Sequence, residues 1–452
     1  MPKTCFTVLS TLALLASVGL CLTGKFLFIS DIHFDPLVDC ERYNQTTYCR
    51  DPALNLGVPE EVQQHYRRLA GYPAADTNVQ ISAPLSAGSS LGRYGCDATY
   101  ELMDAAYANA ASVLPNPDFI LYGGDVAAHD MNASMVRLTW DVMRSVIVRH
   151  FGTNVPVYVT IGNNDLGTHY HANCASEDLN QLSSMLVNWR WLSADQRGTF
   201  AQMGVYSQVV PGTKLRIISL NTNIISRKPV YVTPQEPSDC GQLAWFEREL
   251  NAAGAAGENV LIVGHIPAGT DSFNGRALWN ETYLSIFQHT VESFVKKYPE
   301  SVVYTTFGHV HKTEFRLMGR EDSPYGAMAN IGAISPVYSN NPMYRIMTYS
   351  TSAPHKIVDF EDHFMDFRAS VKGGKPLWYK DYEFSKAYEA AAGVNTEAIA
   401  KLIGNAKRSS VKLSELMGRS TSHYYEQEQS IICIMTTNNK EEYEKCLNAW
   451  LA

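Results

Sequence analysis

Residues 157–171 read VYVTIGNNDLGTHYH, a β-favouring run that reaches a glycine and then turns abruptly polar. Two asparagines, one aspartate and two histidines follow Gly162 within nine positions. A strand that only closed a hydrophobic core would not need such a cluster at its end. The pattern therefore predicts a β-strand whose carboxyl end presents polar side chains to a ligand.

The same pattern, an apolar run that ends in Gly, Ser or Asn, recurs along the chain. The further runs are KFLFIS, DFILYGG, KLRIISLN, NVLIVG and VVYTTFG, and helical patterns such as GQLAWFERELNAAG separate several of them. Alternation of strands and helices is typical of an α/β fold. In such folds, ligands bind at the carboxyl edge of the sheet.

Potential metal ligands follow every one of these runs except KLRIISLN. They are Asp31, His33, Asp125, Asn163, His265, His309 and His311. In DIH and HVH, the two outer residues are expected to point to the same side of an extended chain and so to reach a common point. A single histidine of this kind is more often a hydrogen-bonded loop residue, but seven such residues at successive strand ends predict a metal site. Histidine nitrogen and carboxylate oxygen together suit zinc, iron or manganese.

The ordered blocks DIHFDP, GGDVAAHD, GNND, GHIPAG and GHVH resemble those of the calcineurin-like metallophosphoesterases. More narrowly, GDVAAHD, ISLNTN, FGHVHKTEF, NNPMYRIMTY and the tail segments WYKDYEFSKAYEA and YEKCLNAW resemble the acid sphingomyelinase and acid sphingomyelinase-like phosphodiesterase family. The resemblance implies a four-layer α/β/β/α sandwich. It also implies hydrolysis of a phosphodiester bond by a metal-bound hydroxide, with two divalent ions of which zinc is the expected one.

The resemblance also assigns the ligands. It implies one ion held by Asp31, His33 and His311, a second held by Asn163, His265 and His309, and Asp125 bridging both. Two ions about 3.5 to 4 Å apart can activate a water and neutralise the phosphoryl oxygens. They also supply a local positive charge, which the chain as a whole, with a formal net charge of −8, does not have.

His129 and Asn164 are the expected catalytic residues. The resemblance implies that His129, four residues after Asp125, contacts phosphate or protonates the leaving oxygen. The alternative is that His129 orients Asp125, and Asp130 is a candidate to orient His129 in turn. Asn164 stands where most family members have histidine, in GNHD or GNHE. Its amide can donate to a phosphoryl oxygen but cannot transfer a proton.

The two histidines after GNND, His169 and His171, are further candidates for the acid. GNND followed by His169 also resembles the endopolyphosphatase branch of the superfamily, so His169 is an expected substrate contact and a phosphoanhydride is an alternative substrate. A third alternative is a catalytically impaired phosphate-binding protein, in which the metal site survives without turnover. The expected partner is a phosphorylated small molecule, lipid or polyphosphate. The acidic pI near 5.9 argues against a broad nucleic-acid-binding surface.

The amino terminus indicates export. Residues 1–24 combine an early lysine with a short apolar run that ends in small residues, which is typical of a signal peptide. A signal anchor is the alternative, and no later segment is long enough to span a membrane. Glycosylation sequons begin at Asn44, Asn132 and Asn280. These features predict a glycoprotein that is secreted or resides in a lysosomal or vacuolar lumen.

Two regions are expected after the signal. Residues 25–359 carry the motifs and form the metallophosphoesterase domain, with a long surface insertion at 51–93 that is rich in Ala, Gly, Ser and Pro. Residues 360–452 read as a helical subdomain, because strand signals fade there and helical patterns take over.

Seven cysteines remain after the signal, so disulfides with one leftover thiol are expected in an oxidising compartment. The family resemblance and the short separation indicate a Cys433–Cys446 pair within the tail. For Cys96 the partner is either Cys40 or Cys49, and a Cys174 pair with Cys240 is possible.

Overall fold

The computed structural model describes residues 23–43, 48–51, 60–69, 90–234, 236–301, 303–352, 355–422 and 431–451. Within these residues the chain forms two β-sheets. The strands are β1 Thr23–Ile29, β2 Ile120–Tyr122, β3 Val157–Val159, β4 Tyr206–Val209, β5 Leu215–Ser219, β6 Asn259–Val263, β7 Val303–Thr306, β8 Phe315–Arg320, β9 Ser323–Ala329, β10 Met343–Ser350, β11 Ile357–Met365 and β12 Trp378–Glu383.

Helices connect and cover the strands. They are α1 Glu60–Leu69, α2 Tyr100–Val113, α3 Ala133–Phe151, α4 Glu177–Asn188, α5 Arg197–Met203, α6 Gln242–Ala255, α7 Glu281–Lys297, α8 Phe367–Gly373, α9 Phe384–Ala387, α10 Thr396–Arg408, α11 Ser410–Ser420, α12 Ile431–Thr436 and α13 Lys440–Leu451. A short 3₁₀ helix, Ala194–Gln196, precedes α5.

Each sheet has six strands and a parallel centre. The first sheet has the order β12-β11-β10-β1-β2-β3, and the second has the order β4-β5-β6-β7-β9-β8. Strands β1, β2 and β3 run parallel, as do β5, β6 and β7, whereas β10, β11 and β12 are antiparallel additions. The carboxyl ends of the parallel strands therefore share an edge within each sheet.

Strand periodicity explains how the layers stack. In β5 and β6, Ile217 and Leu261 face a core that also contains residues of the first sheet, such as Phe28. Their neighbours Ile218 and Ile262 face a second core with α6 and α7. Since alternate strand residues point to opposite faces, the second sheet lies between the first sheet and these helices. The predicted α/β class is confirmed.

Asparagine side chains begin two of the covering helices. Oδ1 of Asn132 accepts the backbone N–H of Met135 at 3.1 Å at the start of α3. Oδ1 of Asn280 accepts the backbone N–H of Thr282 at 3.0 Å at the start of α7. Such caps satisfy N–H groups that a helix leaves unpaired. Both asparagines belong to predicted sequons, and their glycosylation stays a prediction. Asn44 lies outside the described residues.

The carboxyl-terminal region differs from the expectation. Strand β11 crosses the predicted boundary at residue 359, and β12 continues the first sheet to Glu383. The pattern hid β11 because its polar residues alternate with buried ones, and the acidic sequence DFEDHF does not read as an apolar run. Helices do dominate from Thr396 onward.

The expected insertion at 51–93 and the signal segment lie mostly outside the described residues. The part of the insertion that is described contains a helix, α1, and its Val62 and Tyr66 join the main core. The part of the insertion around α1 thus packs against the main core. Of the predicted signal segment, Thr23 and Gly24 already belong to β1. No helix in the described part of the chain is long and apolar enough to cross a membrane.

The structure contains the expected disulfide in the tail. Cys433 is bonded to Cys446. Cys96 is bonded to Cys49 instead of Cys40, which settles the alternative that the sequence left open. Cys174 pairs with Cys240. Among the described cysteines, Cys40 is the leftover thiol, and burial raises its pKa to about 12.

Candidate metal centre

The seven predicted ligands all lie just after the carboxyl ends of strands. Five of them have backbone φ angles in the left-handed region: Asp31 (50°), His33 (47°), Asp125 (59°), His309 (70°) and His311 (54°). Such angles are costly for residues with a Cβ, roughly 1 to 3 kcal/mol each, and they concentrate at functional sites. The expectation that DIH and HVH stay extended was wrong, because the chain turns sharply once it leaves the sheet.

One group consists of Asp31, His33 and His311. The two imidazole Nε2 atoms lie 3.1 Å apart. Oδ1 of Asp31 lies 3.5 Å from Nε2 of His311 and 4.0 Å from Nε2 of His33. The hydroxyl of Ser30 donates to Oδ2 of Asp31 at 2.6 Å, which fixes the carboxylate. Three buried donor atoms thus converge on one point.

A second group consists of Asp125, His265 and His309, which place one donor atom each within 4.8 Å of one another. Nδ1 of His265 donates to the carbonyl oxygen of Gly123 at 2.9 Å. This bond fixes the tautomer and leaves Nε2 facing Oδ2 of Asp125 at 3.1 Å. The two histidines of HVH therefore serve different groups, as the family resemblance implied.

Asp125 lies between the two groups. Its Oδ2 is 3.1 Å from Nε2 of His265 and 3.5 Å from Nε2 of His33. Asp165 holds the loop that carries Asp125, because its carboxylate accepts the backbone N–H groups of Asp125 at 2.7 Å and of Val126 at 2.8 Å. This geometry fits the bridging position that the resemblance implied.

Glycine is needed beside Asp125. Gly124 has a φ of +98°, and a Cβ there would lie 2.6 Å from Nδ1 of His265. A larger residue would displace the His265 ring from Asp125. The GGD motif therefore reflects both the turn and the close approach of a neighbouring ligand.

Asn163 lines the same cavity as Asp125 and His309, and its side-chain oxygen is the predicted ligand. Its Nδ2 donates to Nε2 of His169 at 2.9 Å. Oδ1 is buried and has no hydrogen-bond partner among the described residues. An orphaned buried acceptor beside histidines and carboxylates is suited to a cation. His169, predicted as a substrate contact, thus orients Asn163 while also lining the cavity described below.

Asn164 occupies a different place from the one expected. Its Nδ2 donates to Oδ2 of Asp125 at 2.8 Å, and its backbone N–H donates to Oδ1 at 2.8 Å. The side chain is buried and is not among the residues that line the cavity. Asn164 therefore supports the bridging carboxylate, and the predicted contact with a phosphoryl oxygen is not what this geometry favours.

His129 stands at the border of the metal-binding groups. Its ring lies between the rings of His33 and Tyr48, with centroid distances of 4.3 and 4.2 Å. Nδ1 lies 2.9 Å from Oδ1 of Asp97, and Nε2 lies 3.0 Å from the hydroxyl of Tyr338. Burial opposes protonation of the imidazole, but the Asp97 carboxylate outweighs it and raises the pKa of His129.

Two candidates near His129 do not have the expected roles. Asp97, not Asp130, reaches Nδ1 of His129. The sequence does not show this pairing because Asp97 comes from a loop 32 residues away. His171 is buried, lies 3.5 Å from Oδ2 of Asp178 and does not line the cavity. The alternative that His129 orients Asp125 is not supported, since its two ring nitrogens face Asp97 and Tyr338.

A cavity of about 580 Å³ opens onto the two groups. Its lining includes seven of the predicted site residues, whereas Asp31, Asn164 and His265 do not line it: His33, Asp125, His129, Asn163, His169, His309 and His311. New to the site are three basic and four aromatic residues: Arg227, Lys228, Arg276, Tyr48, Tyr170, Phe273 and Tyr338. Sequence motifs did not single these out, although RK at 227–228 follows the ISLNTN block after only three residues.

Three of the four histidine ligands have electrostatics that fit divalent metal ions. The exception is His265: burial opposes its protonation, but Asp125 and Asp31 raise its pKa to about 10. Burial lowers the pKa of His309 to about 3 and holds the pKa of His33 and His311 well below their usual range. These imidazoles are therefore neutral and keep a lone pair, which a metal ligand requires. The pKa of Asp125 lies well below its usual value despite burial, because His265 and His33 favour its charged form.

Comparison with known proteins agrees with this geometry. The sequence model of the calcineurin-like phosphoesterase family matches residues 24–313. The chain is 28% identical over 448 residues to sphingomyelinase phosphodiesterase D of Dictyostelium discoideum, with 96% of each chain covered. It is 26% identical over 388 residues to acid sphingomyelinase-like phosphodiesterase 3b of Homo sapiens, covering 81% of this chain and 76% of the relative. A solved dimetal phosphatase from Danio rerio is 14% identical and covers 79% of this chain and 98% of its own, with a TM-score of 0.39.

The family match covers more than half of the 452 residues, and it includes all seven strand-end ligands. The relatives are named as phosphodiesterases over most of the chain. The resemblance read from the motifs is thereby confirmed, and divalent metal ions are the implied cofactor. The chain belongs to the calcineurin-like phosphoesterase family and is a phosphoric ester hydrolase.

Proposed function

We propose that this protein is a two-metal phosphodiesterase that acts on a phosphodiester at the cavity described above. The single observation that carries the proposal is the convergence of two ligand groups on one shared carboxylate, Asp125. Two divalent ions held there would supply an activated water and neutralise charge on the phosphoryl oxygens. The mixture of imidazole, carboxylate and amide donors suits zinc best.

The protein's own residues position the reaction. His33, His311 and Asp31 would hold one ion, and His265, His309 and Asn163 the other, with Asp125 between them. Asp165 and Asn164 fix Asp125 through hydrogen bonds to its backbone and carboxylate. This support keeps the ligands preorganised.

His129 is the proposed proton donor to the leaving oxygen. Its Nε2 faces the cavity beside Tyr338, and Asp97 holds Nδ1, so the ring presents one nitrogen in a fixed orientation. Because Asn164 cannot transfer a proton and is bonded to Asp125, His129 is the better placed of the two expected catalytic residues.

The names of the relatives support a sphingomyelin-like phosphodiester as one substrate to test. Three disulfides in the described residues support function in an oxidising compartment, such as the secreted or lysosomal one that the amino terminus suggested. The exposed sequon asparagine Asn280 is compatible with glycosylation in the same compartment.

The test begins with the purified full chain, its metal content and four substrates: bis(p-nitrophenyl) phosphate, sphingomyelin, a nucleotide and inorganic polyphosphate, at acidic and neutral pH. We expect close to two ions per chain, and we expect hydrolysis of the aryl diester that disappears with a chelator and returns with added zinc. Phosphate binding without turnover of any substrate would favour the alternative of an impaired binding protein. Full activity in a metal-free preparation would end the proposal.

A further inference from the structure

Three cations that line the catalytic cavity have no carboxylate partner in the described part of the chain. Arg227, Lys228 and Arg276 are all exposed at its surface, and we call them the basic wall. None of them forms an ion pair with another described residue. Several exposed lysines elsewhere do form ion pairs: Lys386 lies 2.7 Å from Glu383, for example. Uncompensated charge confined to a ligand cavity points to an anionic ligand.

The backbone brings the basic wall together from two segments. Ser226 and Trp279 form an antiparallel bridge, and the backbone N–H of Arg227 donates to the carbonyl oxygen of Leu278 at 2.9 Å. Arg276, three residues before Trp279, therefore lies across from the Arg227–Lys228 segment. The three cations share one side of the cavity because this pairing holds them there.

The basic wall borders the second metal-binding group. Nζ of Lys228 lies 5.8 Å from the ring centre of Tyr170, whose hydroxyl lies 3.5 Å from Nε2 of His309. The basic wall is therefore next to the place where the scissile phosphate would lie.

The cavity offers little negative charge to balance the basic wall. Besides Asp125, the acidic residue that lines it is Asp271. Its carboxylate accepts the backbone N–H of Phe273 at 2.8 Å and the side-chain amide of Asn274, so it is engaged within its own loop. A phosphodiester carries one negative charge, which the metal ions already attract. The three cations of the basic wall are in excess of what that group requires.

We propose that the basic wall binds a second phosphate group on the same substrate. The inference rests on the proposed function and narrows it to esters or anhydrides with a further phosphate. Guanidinium and ammonium groups donate strong hydrogen bonds to phosphate oxygens. A zwitterionic headgroup would instead place its cation against three positive charges. The second phosphate can belong to a soluble molecule or to a phosphorylated lipid, since both present the same chemistry.

A matched pair of substrates isolates this contact. Thymidine 5′-(p-nitrophenyl phosphate) and its 3′-phosphorylated form share the scissile bond and leaving group, and they differ only in the distal phosphate. We expect wild type to hydrolyse the 3′-phosphorylated form with a kcat/KM at least about tenfold higher. The triple variant Arg227→Gln, Lys228→Gln, Arg276→Gln is expected to lose this preference while it still hydrolyses the simpler ester.

A second triple variant controls for net charge. Lys386→Gln, Lys401→Gln and Lys412→Gln remove the same three charges from ion pairs on the surface, at 2.7, 3.6 and 3.1 Å from their carboxylates. It should keep the wild-type preference. A wild type that does not prefer the 3′-phosphorylated ester would overturn the inference, as would equal losses on both esters in the basic-wall variant. Failure of wild type on both esters would contradict the proposed function instead.

Two further substrates separate the sources of the second phosphate. One is inorganic tripolyphosphate, and the other is phosphatidylcholine vesicles that carry phosphatidylinositol 4-phosphate. Turnover of tripolyphosphate that depends on the basic wall would support a soluble substrate. Turnover confined to the vesicles, with the same dependence, would support a lipid one.

Discussion

Two buried polar clusters of this protein are constructed in opposite ways. In the first, Arg345 of β10 and Asp362 of β11 form a paired ion bridge, with Nε and Nη2 of the arginine 2.6 and 2.8 Å from the two carboxylate oxygens. The guanidinium also lies 3.8 Å from the ring centre of Phe360, and Nη1 lies 3.3 Å from the carbonyl oxygen of Asn330. Each charge of this cluster has a partner inside the protein.

The second cluster is the metal centre, where the atoms that could bind a metal ion face one another. Two imidazole Nε2 atoms lie 3.1 Å apart, and the Oδ1 atom of Asn163 has no partner among the described residues. Several of its residues also have left-handed backbone angles. Folding alone gains nothing from such an arrangement, because buried polar groups are costly unless they are satisfied.

Both clusters are buried, so burial does not distinguish a structural cluster from a ligand-binding one. What distinguishes them is whether the polar groups have partners within the protein. The Arg345 cluster is complete and stabilises the junction of two strands. The metal centre contains acceptors such as Oδ1 of Asn163 that have no partner among the described residues, which suits them to a bound cation. If this comparison holds, changes in the second cluster should reduce activity far more than stability, and changes in the first should do the reverse.

The largest effect is expected for Asp125→Asn. The bridging carboxylate serves both ion positions, so we expect kcat/KM for bis(p-nitrophenyl) phosphate to fall by more than about a thousandfold. The unfolding midpoint in the presence of a chelator should fall less than for Arg345→Met, because an asparagine here keeps an oxygen that can still accept a hydrogen bond from Asn164. Asp195→Asn, at an exposed position in the 3₁₀ helix, is the control and should leave activity unchanged. Substantial activity in Asp125→Asn would break the comparison.

The next effect concerns His129→Ala. Loss of a general acid typically costs about 10² to 10⁴ in rate, but a nitrophenolate leaves without a proton. We therefore expect a severe loss on an alkyl phosphodiester and a much smaller loss on the nitrophenyl ester, measured as kcat for each. His289→Ala, exposed on α7, is the control. Equal losses on both esters would show that His129 binds phosphate or supports the metals instead.

The first cluster is tested by Arg345→Met. Removal of one partner leaves Asp362 buried and unpaired, which should cost about 3 to 5 kcal/mol in the free energy of unfolding. Activity per folded molecule should stay close to wild type. The double variant Arg345→Met, Asp362→Leu should recover much of the stability, because no unpaired charge remains. Urea unfolding and kcat measured on the same samples decide the outcome. A single variant that is as stable as wild type would contradict the assignment.

A smaller effect is expected for Asn164→Ala. The variant loses the 2.8 Å bond from Nδ2 to Asp125 but keeps the backbone N–H bond to the other carboxylate oxygen. Loss of a side chain that supports a ligand typically costs about 10- to 100-fold in metal affinity or activity. Because Asn164 does not face the leaving group, the loss should be the same for alkyl and nitrophenyl esters. Unequal losses would restore the direct substrate contact that the sequence suggested.

The sequence revealed the metal centre because its ligands follow strands that read clearly as apolar runs. His265 after NVLIVG and Asp125 after DFILYGG illustrate this link between strand end and function. The supporting partners could not be read in the same way. Asp97 reaches His129 only because a loop from elsewhere in the chain returns to it, and single-sequence patterns carry no information about such contacts. Strand β11 was not predicted from the sequence for a related reason. Its exposed face carries charged residues that form cross-strand ion pairs, such as Glu361 with Lys380, instead of apolar residues.

The smallest effect is expected at that exposed face, for Glu361→Gln. Glu361 accepts from Lys380 of β12 and lies 3.8 Å from Nε2 of His363 and 3.6 Å from Nζ of Lys25. The nearby His363 imidazole, followed by Lys380 and Lys25, lowers the pKa of Glu361 from 4.5 to about 2, although burial opposes this.

A lowered carboxyl pKa stabilises the folded state above the unfolded value of 4.5, and this stabilisation is lost as pH falls toward about 2. The charges of this cluster are paired, like those of Arg345 and Asp362, but the cluster is partly open to solvent. Its contribution to the free energy of unfolding should therefore be only about 1 kcal/mol or less. We therefore expect Glu361→Gln to lower the unfolding midpoint slightly at neutral pH, with a difference that shrinks as the solution is acidified. A difference in midpoint that grows with acidification would contradict the predicted sign. A difference as large as that for Arg345→Met would show that a solvent-exposed ion pair can stabilise the fold as much as a buried one.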